Sequence, residues 1–187
     1  MKILSASVGS AVTFFRCSML SGEPVIFATD TIYGIGSPLE SLEANRRIFD
    51  IKNRPAGQAM PVLVGSYGQL WTLAEKVSVA MQEWLRTVWP GGHTVIFQAR
   101  ETVNALYTKD RTIAVRLVDG WLGQAIAATG PVTATSVNRS GGKALLIAKD
   151  IISEFHDECK YLLWGNSGNN PSKIIDISHG EITILRA

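Results

Sequence analysis

The chain has 187 residues, which is long enough for one ordinary domain with a buried core and too short for two comfortable ones. Hydrophobic residues make up 46% of the chain and charged residues 18%, a balance that excludes a disordered or fibrous protein. The 18 basic and 16 acidic side chains leave a formal net charge of +2, which by itself neither requires nor excludes a nucleic-acid partner.

The cysteines and histidines are scattered. Cys17 and Cys159 lack the spacing of a disulfide scaffold or a zinc site, so we expect two free thiols in a reducing compartment. His93, His156 and His179 show no ligand spacing either, and no protein-bound metal site is predicted.

Nothing in the sequence indicates export or a membrane. Polar residues interrupt the mildly apolar N-terminus, which lacks the small-residue cleavage site of a signal peptide. No apolar run approaches the roughly 18 residues that a membrane-spanning helix needs. We therefore expect a cytoplasmic protein with no membrane association.

Hydrophobic periodicity predicts the elements of the first half of the chain. In order, they are a helix on Val8, Val12, Phe15 and Met19 that ends near Gly22, a strand PVIFA, a helix LEANRRIFDIK preceded by Ser41, a strand MPVLVG, and a helix from Val77 to Val88 closed by Pro90.

Strands predominate in the second half. The predicted elements are strands TVIFQA and TIAVRL, a helix WLGQAIAATG, a strand PVTATSVN, a helix IAKDIISEFH, and strands YLLWG, SKIIDIS and EITILRA. Helices and strands interleave irregularly, which predicts an α/β fold, either three-layered or an open sheet, with mixed parallel and antiparallel strands and flanking helices. The order of the strands does not follow from the pattern.

The segment ATDTIYGIG, residues 28–36, concentrates polar side chains directly after the predicted strand PVIF. A strand that ends at Thr29 places hydroxyl and free N–H groups at the edge of a sheet, where α/β proteins bind ligands. Gly34 and Gly36 allow other groups to approach the backbone closely. A tight turn in which Thr and Asp satisfy local backbone groups explains the segment equally well, so both interpretations stay open.

Basic side chains occur at the end of a helix and inside a strand. Lys52 and Arg54, in KNRPAGQ, either complement the dipole of the preceding helix or form a clamp for phosphate groups. Arg116 lies within TIAVRL, where burial without an anion would be costly. We therefore expect Arg116 to contact a carboxylate of the protein or of a ligand.

A third polar segment, TSVNRSGG, carries Ser136, Asn138 and Ser140 after a predicted strand. Hydroxyl and amide groups of this kind can hold anionic oxygens without adding charge. The segment also fits an ordinary turn.

Six segments, in this order, resemble successive motifs of the YrdC-like family, the threonylcarbamoyl-AMP synthases. They are ATDTIYGIG, KNRPAGQAMPVLV, WPGGHTVIF, TIAVRLVD, TATSVNRSG, and NPSKIIDI followed by ILRA. The resemblance runs from about Ser5 to Arg186, so we expect one YrdC-like domain over residues 1–187, in the short bacterial form. It implies the family's twisted mixed sheet around an open, concave, basic cavity.

The resemblance implies an enzyme, an L-threonylcarbamoyladenylate synthase of the nucleotidyltransferase class. Its substrates would be L-threonine, bicarbonate and ATP, with Mg²⁺ bound to the ATP, and pyrophosphate would be released. A separate threonylcarbamoyl transferase complex would then modify the adenosine beside the tRNA anticodon.

The resemblance also implies roles for individual residues. The family's Lys, Arg, Ser and Asn signature, implied in catalysis, falls on Lys52, Arg54, Ser136 and Asn138. The residues implied around threonine are Thr29, Tyr33, Arg116, Ser136 and Ser172. The residues implied along the nucleotide are Lys52, Arg54, Thr112, Asn138 and Arg186, with Lys52 near the phosphates and the carbamate.

Five positions depart from the family's usual pattern: Ala28, Gly92, His93, Leu146 and Lys173. They bear on the fine geometry of substrate binding more than on the class of reaction, because the charged signature is intact. Two alternatives remain: a module of the same fold that binds tRNA or double-stranded RNA without making an adenylate, and a paralogue with a changed substrate. An intact signature favours the synthase, since RNA binding alone does not require these groups to converge.

Overall fold

The structure is a computed structural model that describes residues 1–5, 8–55 and 57–187. Ala56 of the KNRPAGQ segment and the side chain of Val8 lie outside this described part. The helices are α1 (Val8–Leu20), α2 (Leu42–Lys52), α3 (Tyr67–Leu73), α4 (Val79–Val88), α5 (Gly120–Thr129) and α6 (Ala148–Phe155), with a 3₁₀ turn at Ala105–Tyr107. Within the described residues, no helix has both the length and the apolar character needed to cross a membrane.

The strands form two sheets. They are β1 (Lys2–Ser5), β2 (Val25–Phe27), β3 (Gly34–Gly36), β4 (Val62–Val64), β5 (His93–Gln98), β6 (Thr112–Leu117), β7 (Val132–Thr133), β8 (Thr135–Ser136), β9 (Tyr161–Trp164), β10 (Lys173–Asp176) and β11 (Thr183–Arg186). The five-stranded sheet has the order β1-β9-β2-β3-β8, and the six-stranded sheet has the order β11-β10-β5-β6-β4-β7.

Each sheet mixes strand directions, as predicted. In the five-stranded sheet, β1, β9 and β2 are parallel, whereas β3 is antiparallel to both β2 and β8. In the six-stranded sheet, β10 is parallel to β5 and β4 is parallel to β6, and the remaining pairs are antiparallel. The mixed α/β class is confirmed, but the strands divide between two sheets where one was expected.

The six-stranded sheet uses its two faces differently. On β5 and β6, Val95, Phe97 and Val115 pack with α3 and α4 in an apolar cluster. The alternate residues, such as Thr94 and Arg116, line a cavity on the opposite face. Because side chains of a strand alternate between faces, Thr94 and Arg116 reach the cavity side while Val95, Phe97 and Val115 face the helices.

Helices cover both faces of the five-stranded sheet. Phe27 and Leu163 pack against α1 and α5, where Phe15 and Phe27 meet edge to face with ring centroids 5.2 Å apart. Ile26 and Leu162 pack against α2 and α6. The predicted free thiols are confirmed: Cys17 is exposed, and Cys159 is buried.

The two sheets approach each other closely at Gly36, the last residue of β3. A Cβ atom built there would lie 1.8 Å from the carbonyl oxygen of Thr133 in β7. The N–H group of Thr133 in turn donates to the carbonyl oxygen of Ser37 over 2.9 Å. Only glycine therefore fits where the five-stranded sheet meets the six-stranded one.

Gly36→Ala is expected to destabilise the protein by about 3 kcal/mol or more, because the obstructing atom is backbone and cannot rotate away. Urea unfolding measures the effect. Gly9→Ala is the matched control: Gly9 lies in α1 with no heavy atom within 4 Å of the built Cβ, and alanine there should stabilise the helix by about 0.5–1 kcal/mol. Wild-type stability in Gly36→Ala would contradict the close approach of the sheets.

Candidate active site

A cavity of about 610 Å³ opens where the loops of the five-stranded sheet face the six-stranded sheet. Its volume falls within the roughly 300–1,000 Å³ of typical small-molecule sites. Arg54, Arg116 and Arg186 line it together with hydroxyl and apolar side chains, and the described lining residues include no acidic or lysine side chain. This lining favours an anionic ligand.

Arg116 is almost fully buried, with 3% of its surface exposed, and three groups of the protein hold its guanidinium. Nε donates to the carbonyl oxygen of Gly91 over 2.9 Å, Nη1 to Oγ1 of Thr31 over 2.5 Å, and Nη2 to the carboxylate of Asp30. Burial lowers the pKa of Arg116 and the Asp30 carboxylate opposes that shift. The carboxylate expected for this strand arginine is therefore supplied by the protein itself.

The Asp30 carboxylate is half-exposed, since 47% of its side-chain surface reaches solvent. Its partner Arg116 lines the cavity, whereas Asp30 itself is not among the described lining residues. A ligand carboxylate that binds Arg116 has to share the guanidinium with Asp30 or displace it.

The loop after β2 is built on the Thr29 hydroxyl. Thr29 Oγ1 donates to the carbonyl oxygen of Ile32 over 2.7 Å and accepts from the N–H group of Thr31 over 3.1 Å. Tyr33 is buried, and its hydroxyl donates to the carbonyl oxygen of Gly165 over 2.9 Å and accepts from the N–H group of the same residue over 3.2 Å. The segment therefore does both things that the sequence allowed: its polar groups form local hydrogen bonds in a turn, and its residues line the cavity.

Lys52 lies beneath the loop that follows β8 and is only 2% exposed. Its ammonium donates to the carbonyl oxygen of Ser136, to that of Asn138 over 2.7 Å, and to Oδ1 of Asn138 over 3.2 Å. The Ser136 hydroxyl donates to the same Oδ1 atom over 2.6 Å. The signature residues Lys52, Ser136 and Asn138 thus form one cluster.

The location of Lys52 differs from the sequence interpretation. It is not among the described residues that line the cavity, and three acceptors engage its three ammonium hydrogens. Burial, then Arg54 and Arg139, lower the pKa of Lys52 to about 8, and Glu154 opposes them. In this structure Lys52 holds a loop in place, and contact with phosphates would require its present hydrogen bonds to break.

Arg54 lies beside this cluster and reaches the cavity. Its Nε donates to the carbonyl oxygen of Gln58 over 3.1 Å and its Nη2 to that of Ala59 over 3.0 Å. Its Nη1 lies 3.4 Å from Oγ1 of Thr135. These contacts set the direction of the guanidinium and leave part of it facing the cavity.

Ser172 and Arg186 meet at the opposite wall. The Ser172 hydroxyl is 2.8 Å from the Thr94 hydroxyl, and Arg186 Nε donates to the carbonyl oxygen of Ser172 over 2.9 Å. Thr112 lies apart from this group. It shares the cavity-side face of β6 with Arg116 by alternation, yet it is not among the described lining residues, and its hydroxyl donates to the carbonyl oxygen of Lys109 over 2.7 Å.

Three residues of the site were not singled out from the sequence: Asp30, Thr31 and Thr94. Asp30 and Thr31 stand in a quoted motif, but their partner Arg116 is 86 and 85 residues away, respectively. Thr94 carried a weaker signal, because it alternates with the apolar Val95 in a predicted strand.

The departures from the family pattern fall in different places. Leu146 lines the cavity, and the built Cβ of Gly92 would lie 3.6 Å from Cγ2 of Thr31. Ala28 is buried in the core, and Lys173 is exposed. Of these residues, Leu146 has the most direct access to a ligand.

The described residues contain no group of three or more His, Cys, Asp or Glu side chains that could hold a metal ion. The Asp30 carboxylate, which lies in sequence between the lining residues Thr29 and Thr31, is paired with Arg116. The side chains present therefore fit a metal ion that arrives bound to a ligand's phosphates better than a resident one.

The sequence model of the Sua5/YciO/YrdC family, described as "Telomere recombination", matches residues 18–187. A protein of Chromobacterium violaceum named threonylcarbamoyl-AMP synthase is 30% identical over 174 residues, which cover 89% of this chain and 89% of the relative.

Solved structures share the fold. Sua5 of P. abyssi, solved in complex with L-threonine, superposes with a TM-score of 0.87 at 24% identity, covering 100% of this chain and 57% of that one. E. coli YciO superposes with a TM-score of 0.86 at 20% identity, covering 99% and 94%. The match to the family model covers most of the sequence, and the chain belongs to the Sua5/YciO/YrdC family.

Proposed function

We propose that this protein is a threonylcarbamoyl-AMP synthase that joins L-threonine, bicarbonate and ATP and releases pyrophosphate. One observation carries the proposal: Arg54, Arg116 and Arg186 converge with hydroxyl side chains on a single cavity of ligand size. The relatives named for this activity and the Sua5 structure with L-threonine support it.

In the proposed complex, threonine binds at the Arg116 end of the cavity. Its carboxylate contacts the guanidinium of Arg116, and Thr29, Tyr33, Ser136 and Ser172 surround the remainder. A planar guanidinium can bind a carboxylate through two parallel hydrogen bonds, which orients the amino acid as well as holding it.

The nucleotide occupies the remainder of the cavity, between Arg54 and Arg186. Thr112 and Asn138 are also assigned to the nucleotide. Thr112 is the first residue of β6. Lys52 contributes by holding Ser136 and Asn138 in position, and its assigned contact with the phosphates requires the loop to move.

The chemistry accounts for this set of residues. The threonine amine adds to bicarbonate, water leaves, and a carbamate forms on the nitrogen. A carbamate oxygen then attacks the α-phosphorus of ATP, and the bond from that phosphorus to the β-phosphate bridging oxygen breaks. Both reactants of the second step are anions, so fixed arginines reduce their repulsion while the site holds them in attack geometry, an arrangement worth roughly 7–11 kcal/mol.

A Mg²⁺ ion held by the ATP phosphates would help to neutralise charge on the leaving pyrophosphate. Within this cavity Arg54 and Arg186 are the residues that would face the triphosphate and neutralise its oxygens. We propose that the later steps use a separate transferase complex and a tRNA, and that the protein works in the cytoplasm.

Omission experiments test the proposal. Purified protein is expected to release pyrophosphate from ATP only when threonine and bicarbonate are both supplied. Release without either one would indicate a different adenylating activity. No release in any mixture, together with retention of labelled tRNA on the protein, would favour the RNA-binding alternative, and release dependent on another amino acid would favour the paralogue.

The loop that carries Asn169 and Ser172 packs tightly on the threonine end of the cavity. A Cβ atom built on Gly168 would lie 2.5 Å from the carbonyl oxygen of Thr31 and 2.6 Å from that of Asp30. Gly168→Ala is therefore expected to push this loop outward, raising the KM for threonine about 10-fold, equivalent to about 1.4 kcal/mol, with less effect on ATP.

Steady-state kinetics with each substrate varied in turn measures this split. Gly180→Ala serves as a control outside the cavity; its backbone φ of +85° strains the alanine locally, but the built Cβ meets no atom within 4 Å. Equal changes in both KM values for Gly168→Ala would contradict the assignment of this wall to threonine.

A further inference from the structure

Arg139 follows the signature residue Asn138 but is not among the described residues that line the cavity, and several contacts engage its guanidinium. It donates to the carbonyl oxygen of Ile51 and pairs with the Glu158 carboxylate over 2.8 Å and the Glu154 carboxylate over 3.4 Å. Its central carbon also lies 4.5 Å from the centroid of the Phe155 ring. Arg139 therefore joins the loop after β8 to the last turn of α2 and to α6.

The backbone beside Arg139 completes the link to α2. The N–H group of Ser140 donates to the carbonyl oxygen of Lys52 over 2.7 Å. Ile51 and Lys52 are the last two residues of α2, whose terminal carbonyl groups have no partner within the helix. The loop after β8 thus caps α2 with one guanidinium and one backbone amide.

The same loop orients the amide of Asn138. Nδ2 of Asn138 donates to the carbonyl oxygen of Arg139 over 2.7 Å and to that of Gly142 over 2.9 Å. Oδ1 of Asn138 faces the Lys52 ammonium and the Ser136 hydroxyl. A shift of the Arg139 backbone would therefore rotate or displace the Asn138 amide.

We propose that Arg139 is a positioning residue for nucleotide binding. Arg139 fixes the loop of Ser136 and Asn138 against the end of α2, which carries Lys52 and leads to Arg54. The expected change in the KM for ATP rests on the proposed function. The expected change in hydrogen exchange of the loop does not. Arg139 contacts no substrate, and its effect passes through Asn138 and the end of α2. Glu158 supports this role by holding the Arg139 guanidinium in place.

The test compares Arg139→Met, Arg139→Lys, Glu158→Gln and the double variant Arg139→Met/Glu158→Gln with wild type. Matched controls are Arg16→Met and Glu83→Gln, which replace exposed side chains on α1 and α4. For each variant we measure the KM for ATP, the KM for threonine, the thermal stability, and hydrogen exchange of backbone amides in residues 136–146 without substrates.

Arg139→Met is expected to raise the KM for ATP about 10-fold, with a smaller change for threonine, and to speed exchange of the Ser140 and Leu145 amides. Arg139→Lys should recover part of both effects, because it keeps the charge but loses the planar fork. Glu158→Gln should raise the KM for ATP and the exchange rates in the same direction, but by less. The double variant should have the KM and exchange rates of Arg139→Met, because both substitutions break the same contact.

A variant that loses thermal stability while its KM values and loop exchange remain those of wild type would overturn the proposal, because Arg139 would then only attach α6. If Arg139→Met does not fold, Arg139→Lys and Glu158→Gln decide the question alone. If wild type releases no pyrophosphate, the proposed function is rejected. The hydrogen-exchange comparison would still test whether Arg139 holds the loop against α2.

Discussion

Lys52→Met is expected to abolish adenylate formation and to lower the free energy of unfolding by about 3 kcal/mol. Methionine matches the length of the lysine but donates no hydrogen bond, so the carbonyl oxygens of Ser136 and Asn138 lose their partner in a buried place. An unsatisfied buried acceptor costs about 1–3 kcal/mol. The loop that carries Ser136 and Asn138 should then move, and activity should fall more than about 100-fold.

The stability difference between wild type and Lys52→Met should also depend on pH. Burial, followed by Arg54 and Arg139, lowers the pKa of Lys52 from 10.5 to about 8 in the folded protein. The folded state therefore releases this proton before the unfolded state does, so wild type gains stability relative to the variant as pH rises from about 8 to 10.5. Urea unfolding at pH 7 and pH 9.5 measures the change.

Lys76→Met is the control for this experiment, because Lys76 is exposed in the loop before α4. Its stability and kinetics should remain near those of wild type. A Lys52→Met protein that keeps wild-type stability and shows only a higher KM for ATP would contradict the positioning role. Lys52 would then bind phosphate directly.

Arg116→Lys is expected to raise the KM for threonine about 100-fold while ATP binding stays near the wild-type value. Lysine keeps the charge but has one nitrogen where the guanidinium has three, so it cannot hold a carboxylate through two parallel bonds. A loss of about 3 kcal/mol, typical of charge-assisted hydrogen bonds to a buried group, corresponds to the predicted factor. Kinetics with threonine and ATP varied separately measures it.

The control for this variant is Arg111→Lys. Arg111 pairs with Glu101, and the two side chains are 76% and 83% exposed, so the pair contributes about 0–1 kcal/mol. If Arg116→Lys left the KM for threonine unchanged, Asp30 would be the permanent partner of Arg116 and the threonine carboxylate would bind elsewhere.

Part of this structure could be predicted from the sequence because local pattern determines it. The helix LEANRRIFDIK and the strand TIAVRL were predicted with the boundaries of α2 and β6, since their apolar residues repeat at the periods of a helix and a strand. The requirement of Arg116 for a carboxylate also followed from local reasoning, because a buried charge needs a partner wherever the strand packs.

Other features depend on contacts between distant residues. The segment PVTATSVN was predicted as one strand, but β7 and β8 belong to different sheets, because the chain crosses from one to the other between Thr133 and Thr135. The strand β3 was missed because its sequence, GIG, has low strand propensity and pairs only through its neighbours β2 and β8. Lys52 had the pattern of an exposed helix end, and its burial depends on a loop 84 residues later.

The candidate site could be predicted only in part. The resemblance predicted the residues of the site, and the structure brings Arg54, Arg116, Ser136, Ser172 and Arg186 to one cavity. Lys52, Thr112 and Asn138 are not among its described lining residues. The roles of these residues, and a single domain over residues 1–187, stay predictions. The counter-ion Asp30 could not be predicted, since no local signal links it to a strand 86 residues away.

Mass spectrometry of the product formed from ¹³C-labelled bicarbonate, L-threonine and Mg²⁺-ATP tests the proposed synthase activity most directly. We expect one small molecule that contains AMP, threonine and a single labelled carbon, formed by wild type and lost in Arg54→Ala, whose fold should be unchanged. A threonyl adenylate without the label, or AMP and pyrophosphate formed with no labelled product, would contradict the proposed activity.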